Sequence, residues 1–171
     1  MNSMVDAGLR AALPEAQAFR EAMAQVASAA HIVTTLGPHG RAGLTATAVT
    51  SVSVAPPTVL VCVEAASRTL AAIEASGIFC VNTLAEADHE LASVFSGRRG
   101  LTGEERFAAG DWGELATGAP ALASALASFD CRLATVHRVA THRILIGQVV
   151  ALGGGGSGPA LVYRHRRFGG F

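Results

Sequence analysis

The chain has 171 residues, half of them hydrophobic and only 15% charged, and its thirteen basic and thirteen acidic side chains cancel. Balanced charge leaves no electrostatic footprint for nucleic acid or an anionic membrane surface, so any anion site must be local. The length suits one domain, expected over 14–171 behind a flexible leader at 1–13, and so little charge predicts a buried face between subunits of a homo-oligomer as well.

Pro14 to Ala29 carries Phe19, Met23 and Val26 on one helical stripe, which predicts a packing helix. His31 to Thr35 is a short β-rich run, and Gly37-Pro38-His39-Gly40 turns the chain into a strand over Arg41 to Val54, so a hairpin is expected. Period two places Thr45, Thr47, Val49, Ser51 and Ser53 on one face of that strand and Leu44, Ala46, Ala48, Thr50 and Val52 on the other. Pro56-Pro57 and the apolar run Thr58 to Glu64 follow at once. A half-polar strand beside a buried one suits a barrel wall that lets backbone groups approach a flat polar ring. A sandwich strand with solvated threonines carries the same pattern.

Ser67 is placed to cap a helix running to Ser76, with Leu70 and Ile73 facing inward and Gly77 ending it. The turn Glu64 to Thr69 could bring free N–H groups, two hydroxyls and the Arg68 guanidinium onto a phosphate, and ordinary capping by Ser67 beside a solvated Arg68 fits the same residues. A strand over Ile78 to Leu84 leads to a second helix with Glu86, Asp88 and Glu90 at its start and Leu91, Val94 and Phe95 on its apolar face. Ser96-Gly97-Arg98-Arg99-Gly100 then forms a small cationic turn within a long Gly- and charge-containing loop to about Leu122, and loops of that length are often functional.

Strands are expected over Ser128 to Val139, Arg143 to Leu152 and Ala160 to Phe168. Strands at both ends with few helices between them favour an antiparallel barrel over a doubly wound sheet. Gly153 to Gly158 satisfies G-x-G-x-x-G, yet it is followed by Pro159 and a strand where a dinucleotide fold needs a helix, so a flexible hairpin loop is predicted there. Cys62, Cys80 and Cys131 lie in apolar runs without CxxC spacing and read as buried, reduced and structural. The six histidines show no metal-ligand spacing, and His142 differs from the others in standing at the mouth of a strand. No signal peptide opens the chain and no apolar run approaches bilayer length, which predicts a cytoplasmic protein without a membrane partner.

HIVTT at 31–35, AGLTATAVTSVSVAPPTVLVCVE at 42–64, FCVNTL at 79–84, SFDC at 128–131 and THRILIGQV at 141–149 together resemble the short-chain flavin reductases. The resemblance covers about Phe19 to Phe168. GRAGLTATAV, ERFAA and TGAP are similar in particular to the pyrimidine-utilisation branch of those reductases. The resemblance implies a mainly β protein with peripheral helices, an FMN-binding split β-barrel of antiparallel Greek-key type that forms a homodimer. It also implies hydride transfer from NADH or NADPH to FMN or FAD, and delivery of reduced flavin to a separate flavin-dependent monooxygenase.

Carried over by position, Thr45, Thr47, Ala48, Val49, Thr50 and Ser51 would border the ring and ribityl chain. Ser67, Arg68 and Thr69 would meet the phosphate, Glu64 is a further cofactor-binding candidate, and Phe95, Ser96, Gly97 and Arg99 would close over the flavin tail. His142 matches the family's histidine beside the nicotinamide and is the catalytic candidate, with Tyr163 or Phe168 as the shielding aromatic. Ala140-Thr141-His142 departs from the family's usual Gly-Asp-His. The competing expectation is a flavin- or haem-binding split barrel without catalysis.

Overall fold

The computed structural model describes residues 13–170. The expected leader, apart from Leu13, therefore lies outside the described residues. Helix α1 (Ala16–Met23) opens the described chain, and strands β1 (Ser28–Ala29), β2 (His31–Gly37) and β3 (Gly40–Ala46) follow. The Gly37–Gly40 turn joins β2 and β3 as an antiparallel hairpin, as the sequence predicts.

The strand expected over 41–54 is two strands. The ladder stops at Ala46, and β4 (Val49–Val54) starts beyond a bend at Thr47-Ala48. β4 pairs with β5 (Pro57–Glu64), and a register shift between Ser51 and Ser53 breaks the alternation again. The two-faced pattern of Thr45 to Ser53 is thus not one continuous surface.

β6 (Ile78–Thr83), β9 (Ala127–Val139) and β10 (His142–Gly153) complete a seven-stranded sheet in the order β3-β2-β6-β9-β10-β5-β4, and every pairing in it is antiparallel. β3 and β4 lie at opposite edges of this sheet although only two residues join them. Laid flat, six interstrand spacings would separate those edges by roughly 29 Å, far beyond the reach of so short a link. The sheet must therefore curl until its edges meet, and a hydrogen bond from Cys62 N to Ala48 O (2.9 Å) lies at that seam. No ladder joins β3 to β4, which leaves an antiparallel barrel with a split wall.

Helix α2 (Arg68–Ser76) is read correctly from its caps. Ser67 Oγ accepts from Leu70 N, Gly77 ends the helix at φ +70, and Leu70 and Ile73 are buried. Ile73, Val33, Val61, Phe79, Val81 and Leu145 share the barrel core. A second apolar cluster gathers Ile32, Leu84, Phe95, Phe107, Leu122 and Leu161 outside the sheet. Ile32 and Val33 point into different clusters, so β2 is buried on both faces and its sequence shows no alternation.

The predicted second helix begins as a 3₁₀ turn (Glu86–Asp88) and continues as α3 (His89–Phe95), with Phe95 fully buried. The long loop after it carries its own structure: a 3₁₀ turn (Gly103–Ala108) and a ribbon of β7 (Trp112–Glu114) with β8 (Pro120–Leu122). The predicted last strand is a hairpin of β11 (Leu161–Arg164) and β12 (Arg167–Gly170), because His165 and Arg166 turn the chain with positive φ.

Two further expectations are corrected. The stripe on α1 does not pack within the chain, since Phe19, Met23 and Val26 are about half exposed and no residue of the helix is buried. The glycine run at 153–158 is not a flexible hairpin, because β10 and β11 belong to different sheets. A Cβ on Gly156 would lie 2.0 Å from the Ser124 carbonyl oxygen and one on Gly154 2.7 Å from Ala127 Cα, so the run crosses tightly at these two positions, where only glycine fits.

Candidate functional site

The seam where β3 ends and β4 begins borders a cavity of about 400 Å³. Thr45, Ala46, Thr47 and Ala48 form one wall and Cys62 with Val63 another. Glu64 and His142 stand at one end as cross-strand partners of β5 and β10. Phe95, Ser96 and Arg106 close the far side. Thr47 and Ala48 lie outside both ladders, and although Ala48 O accepts from Cys62 N, neither of their amide N–H groups donates to a backbone carbonyl among the described residues. Ala46 and Ala48 keep the wall thin. Backbone donors beside small side chains form the surface on which a flat heteroaromatic ring can seat its polar edge.

A second cavity of about 540 Å³ runs between the β2–β3 turn and α2. It is lined by Arg41, Arg68, Thr69 and the small residues Ala72 and Ala75. The two cavities share Leu44, Ser67 and Arg106, and so form one groove with a cationic middle. Arg41 is engaged by Glu104, which accepts from both Arg41 N (2.7 Å) and Arg41 Nε (2.8 Å). That guanidinium also holds the Glu104 carboxyl below its usual range and lies over the Phe107 ring at 4.8 Å.

The structure brings most of the predicted residues together. Thr45, Thr47, Ala48, Glu64, Ser67, Phe95, Ser96 and His142 line the first cavity, and Arg68 and Thr69 line the second. Thr45 Oγ1 donates to Ala92 O (2.7 Å), so it fastens α3 to the wall. The His142 ring is exposed and its Nδ1 lies 3.0 Å from Thr141 Oγ1. Val49, Thr50 and Ser51 line neither cavity, because the bend at Thr47-Ala48 carries them onto the far edge strand.

Two tail residues and the shielding aromatic also fall differently. Gly97 lies at the lip, at φ +81, where a Cβ would be 3.6 Å from Arg106 Nη2. Arg99 turns away and pairs with Glu90, whose carboxyl it holds below the usual range. Tyr163 lies on β11 with its ring 5.0 Å from Phe168, accepts a 3.4 Å hydrogen bond from Arg98, and borders neither cavity.

Two lining residues escape the sequence reading. Cys62 is half-buried and lines the first cavity, unlike the fully buried Cys80 and Cys131. Burial pushes the Cys131 thiol up to about 12, with the Asp130 charge acting the same way, and raises Cys80 for the same first reason. Arg106 lies at the centre of the groove, and the only signal for it is its place in ERFAA beside Phe107. Phe107 packs edge-on to Phe95 at 5.0 Å and Trp112 at 5.1 Å, and that aromatic cluster sets where Arg106 emerges.

No helix among the described residues is long and apolar enough to cross a membrane, and no cluster of three His, Cys, Asp or Glu side chains among them could hold a metal ion. The flavin reductase like domain family matches residues 23–171. A relative from Methylorubrum extorquens, FMN reductase (NADH) RutF 1, is 54% identical over 92% of this chain and 78% of its own length. BorF, the flavin reductase component of a bacterial two-component tryptophan halogenase, superposes with a TM-score of 0.84 at 30% identity, over 91% of this chain and 98% of its own. A chain from Haemophilus somnus superposes with a TM-score of 0.88 at 41% identity, over 92% and 100% of the two chains. The fold is thus shared with these proteins, and the chain belongs to the flavin reductase like family. Its activity is the NAD(P)H-driven reduction of flavin.

Proposed function

We propose that this chain reduces FMN with NADH and releases the reduced flavin to a separate flavin-dependent monooxygenase, acting in the cytoplasm as a homodimer of one domain over 14–171. The observation that carries this reading is the continuous groove, a ring-sized chamber at the barrel seam that opens through Ser67 and Arg106 onto a cationic trough. FMN matches it with a flat ring at one end and a dianionic phosphate at the other. When bound, the flavin takes up the nicotinamide hydride, two electrons and a proton together, and that chemistry is the cofactors' own.

The residues of the chain position and exclude. Thr47 and Ala48 offer backbone donors to the ring edge where negative charge gathers on reduction. Phe95 covers one side of the chamber and keeps water from it. His142 stands at the open end, where its imidazole can orient a nicotinamide amide without itself exchanging a proton. The exposed Phe19 and Met23 on α1 and Val26 just beyond it, with Val54 at the barrel edge, supply the apolar area that a second copy would cover.

The test is an anaerobic titration of the protein with FMN, FAD and riboflavin, followed by NADH or NADPH in separate runs. Loss of the oxidised flavin absorbance with NADH and FMN supports the reading. Flavin binding without bleaching by either donor overturns it in favour of a non-catalytic binding protein. Light scattering decides the dimer: a monomer whose mass does not change with Phe19→Glu contradicts it.

A further inference from the structure

The hairpin of β9 and β10 turns through Ala140 and Thr141, between the paired positions Val139 and His142. Ala140 takes φ +46 there, a positive value of the kind that two-residue hairpin loops require at their first position, and so tight a loop fixes the register of the rows behind it. The first of those rows sets Arg138 directly opposite Arg143. Like charges facing each other across an antiparallel pair are destabilising. Neither guanidinium has an ion pair among the described residues, whereas Arg41 and Arg99 each have one.

Arg138 is exposed, and the one side-chain hydrogen bond of Arg143 runs from its Nη1 to His142 O (3.0 Å). That bond folds the Arg143 guanidinium back toward the turn, beside the backbone of the residue whose side chain stands at the open end of the ring chamber. Glu64, the carboxylate nearest in register, is the cross-strand partner of His142 and lines the chamber with it. Period two turns the next row, Arg143 with Val63, the other way, so Glu64 does not neutralise the pair. Two guanidinium groups placed in this manner gain from a dianion set between them and repel without one.

The reaction brings such a dianion to this end of the chamber. With the nicotinamide amide beside His142, a single ribose separates the ring from the donor's pyrophosphate. We infer that Arg138 and Arg143 hold the pyrophosphate of the nicotinamide donor at the rim of the β9–β10 hairpin, across the chamber from Arg106. The inference rests on the reductase reading above and names the residues that grip the donor apart from its reacting ring.

Steady-state kinetics at saturating FMN, with NADH and with 1-benzyl-1,4-dihydronicotinamide, separate the two parts of the donor, because the benzyl compound carries the same ring and amide and no phosphate. Arg143→Gln is expected to raise the KM for NADH by about three- to tenfold, and its combination with Arg138→Gln by about tenfold to a hundredfold, with kcat unchanged and the benzyl donor unaffected. His142→Ala, by contrast, should weaken both donors alike. Arg138→Glu turns the repelling row into an ion pair, so it should raise the KM for NADH while the melting temperature stays equal or rises, a combination that a merely structural role would not give. FMN affinity, measured by quenching of flavin fluorescence, should be the same in all the arginine variants, which sets the donor's phosphates apart from the flavin's. An unchanged KM for NADH in the double variant, equal losses with both donors, or a matching loss of FMN affinity would overturn the inference and leave flavin reduction standing. An unaltered protein in which neither donor bleaches FMN would sink the reductase reading and this inference with it.

Discussion

His142 and Cys62 face the same chamber with opposite expectations. His142 is exposed at the open end and fastened only to its neighbour Thr141, so it can serve a ligand without supporting the fold. His142→Ala should raise the apparent KM for NADH by about three- to tenfold, the value of one hydrogen bond, with FMN affinity unchanged. Steady-state kinetics with unaltered KM and kcat would remove His142 from the site. Cys62 should be the one thiol that reacts with a maleimide in the native protein, and FMN should slow it. Cys80 and Cys131 are enclosed and held as thiols, and it is the thiolate that reacts. Equal labelling of all three before unfolding would contradict the packing described.

At the scale of elements, glycine placement separates what the chain needs from what it tolerates. Gly156→Ala sets a Cβ against the Ser124 backbone and should cost about 1–3 kcal/mol, whereas Gly155→Ala meets nothing within 4 Å and should stay within about 0.5 kcal/mol. Urea melts of the two variants check this, and equal midpoints would mean that the crossing is loose. Local chemistry is legible in the sequence wherever one residue acts on its own segment. Ser67 and Gly77 announce α2, and Gly37-Pro38-His39-Gly40 announces the β2–β3 turn, because caps and turns are short-range. The break in the strand at Thr47-Ala48 is not legible, since its cause is the closure of a sheet whose other strands come from distant sequence. Arg106 escapes for the same reason. Its carbonyl partners Gly43, Phe95 and Leu101 converge only after folding, and arginine in a polar loop looks like surface charge. The α1 stripe reads as internal packing because an apolar helical face looks the same whether this chain or another surface covers it.

For the molecule as a whole, one buried imidazole sets how stability responds to acid. His31 is 8% exposed, its Nδ1 lies 3.1 Å from Thr83 Oγ1, and burial lowers its pKa from 6.5 to about 4. The unfolded chain takes up this proton below about pH 6.5, whereas the folded chain resists it until about pH 4. Stability is therefore full above pH 6.5 and falls as the pH drops from 6.5 to 4, by on the order of 3 kcal/mol. Thermal melts of the protein and of His31→Gln across that window should converge toward acid pH, and parallel curves would exclude this histidine as the cause. The two-residue link between β3 and β4 has one more consequence. Because only two residues span the gap, their bond lengths cap the width of the slot beside them, whatever the side-chain packing. Such a slot cannot breathe open by degrees. Its grip on a planar guest should persist undiminished under mild warming or dilute denaturant and then vanish in a single step with the barrel itself.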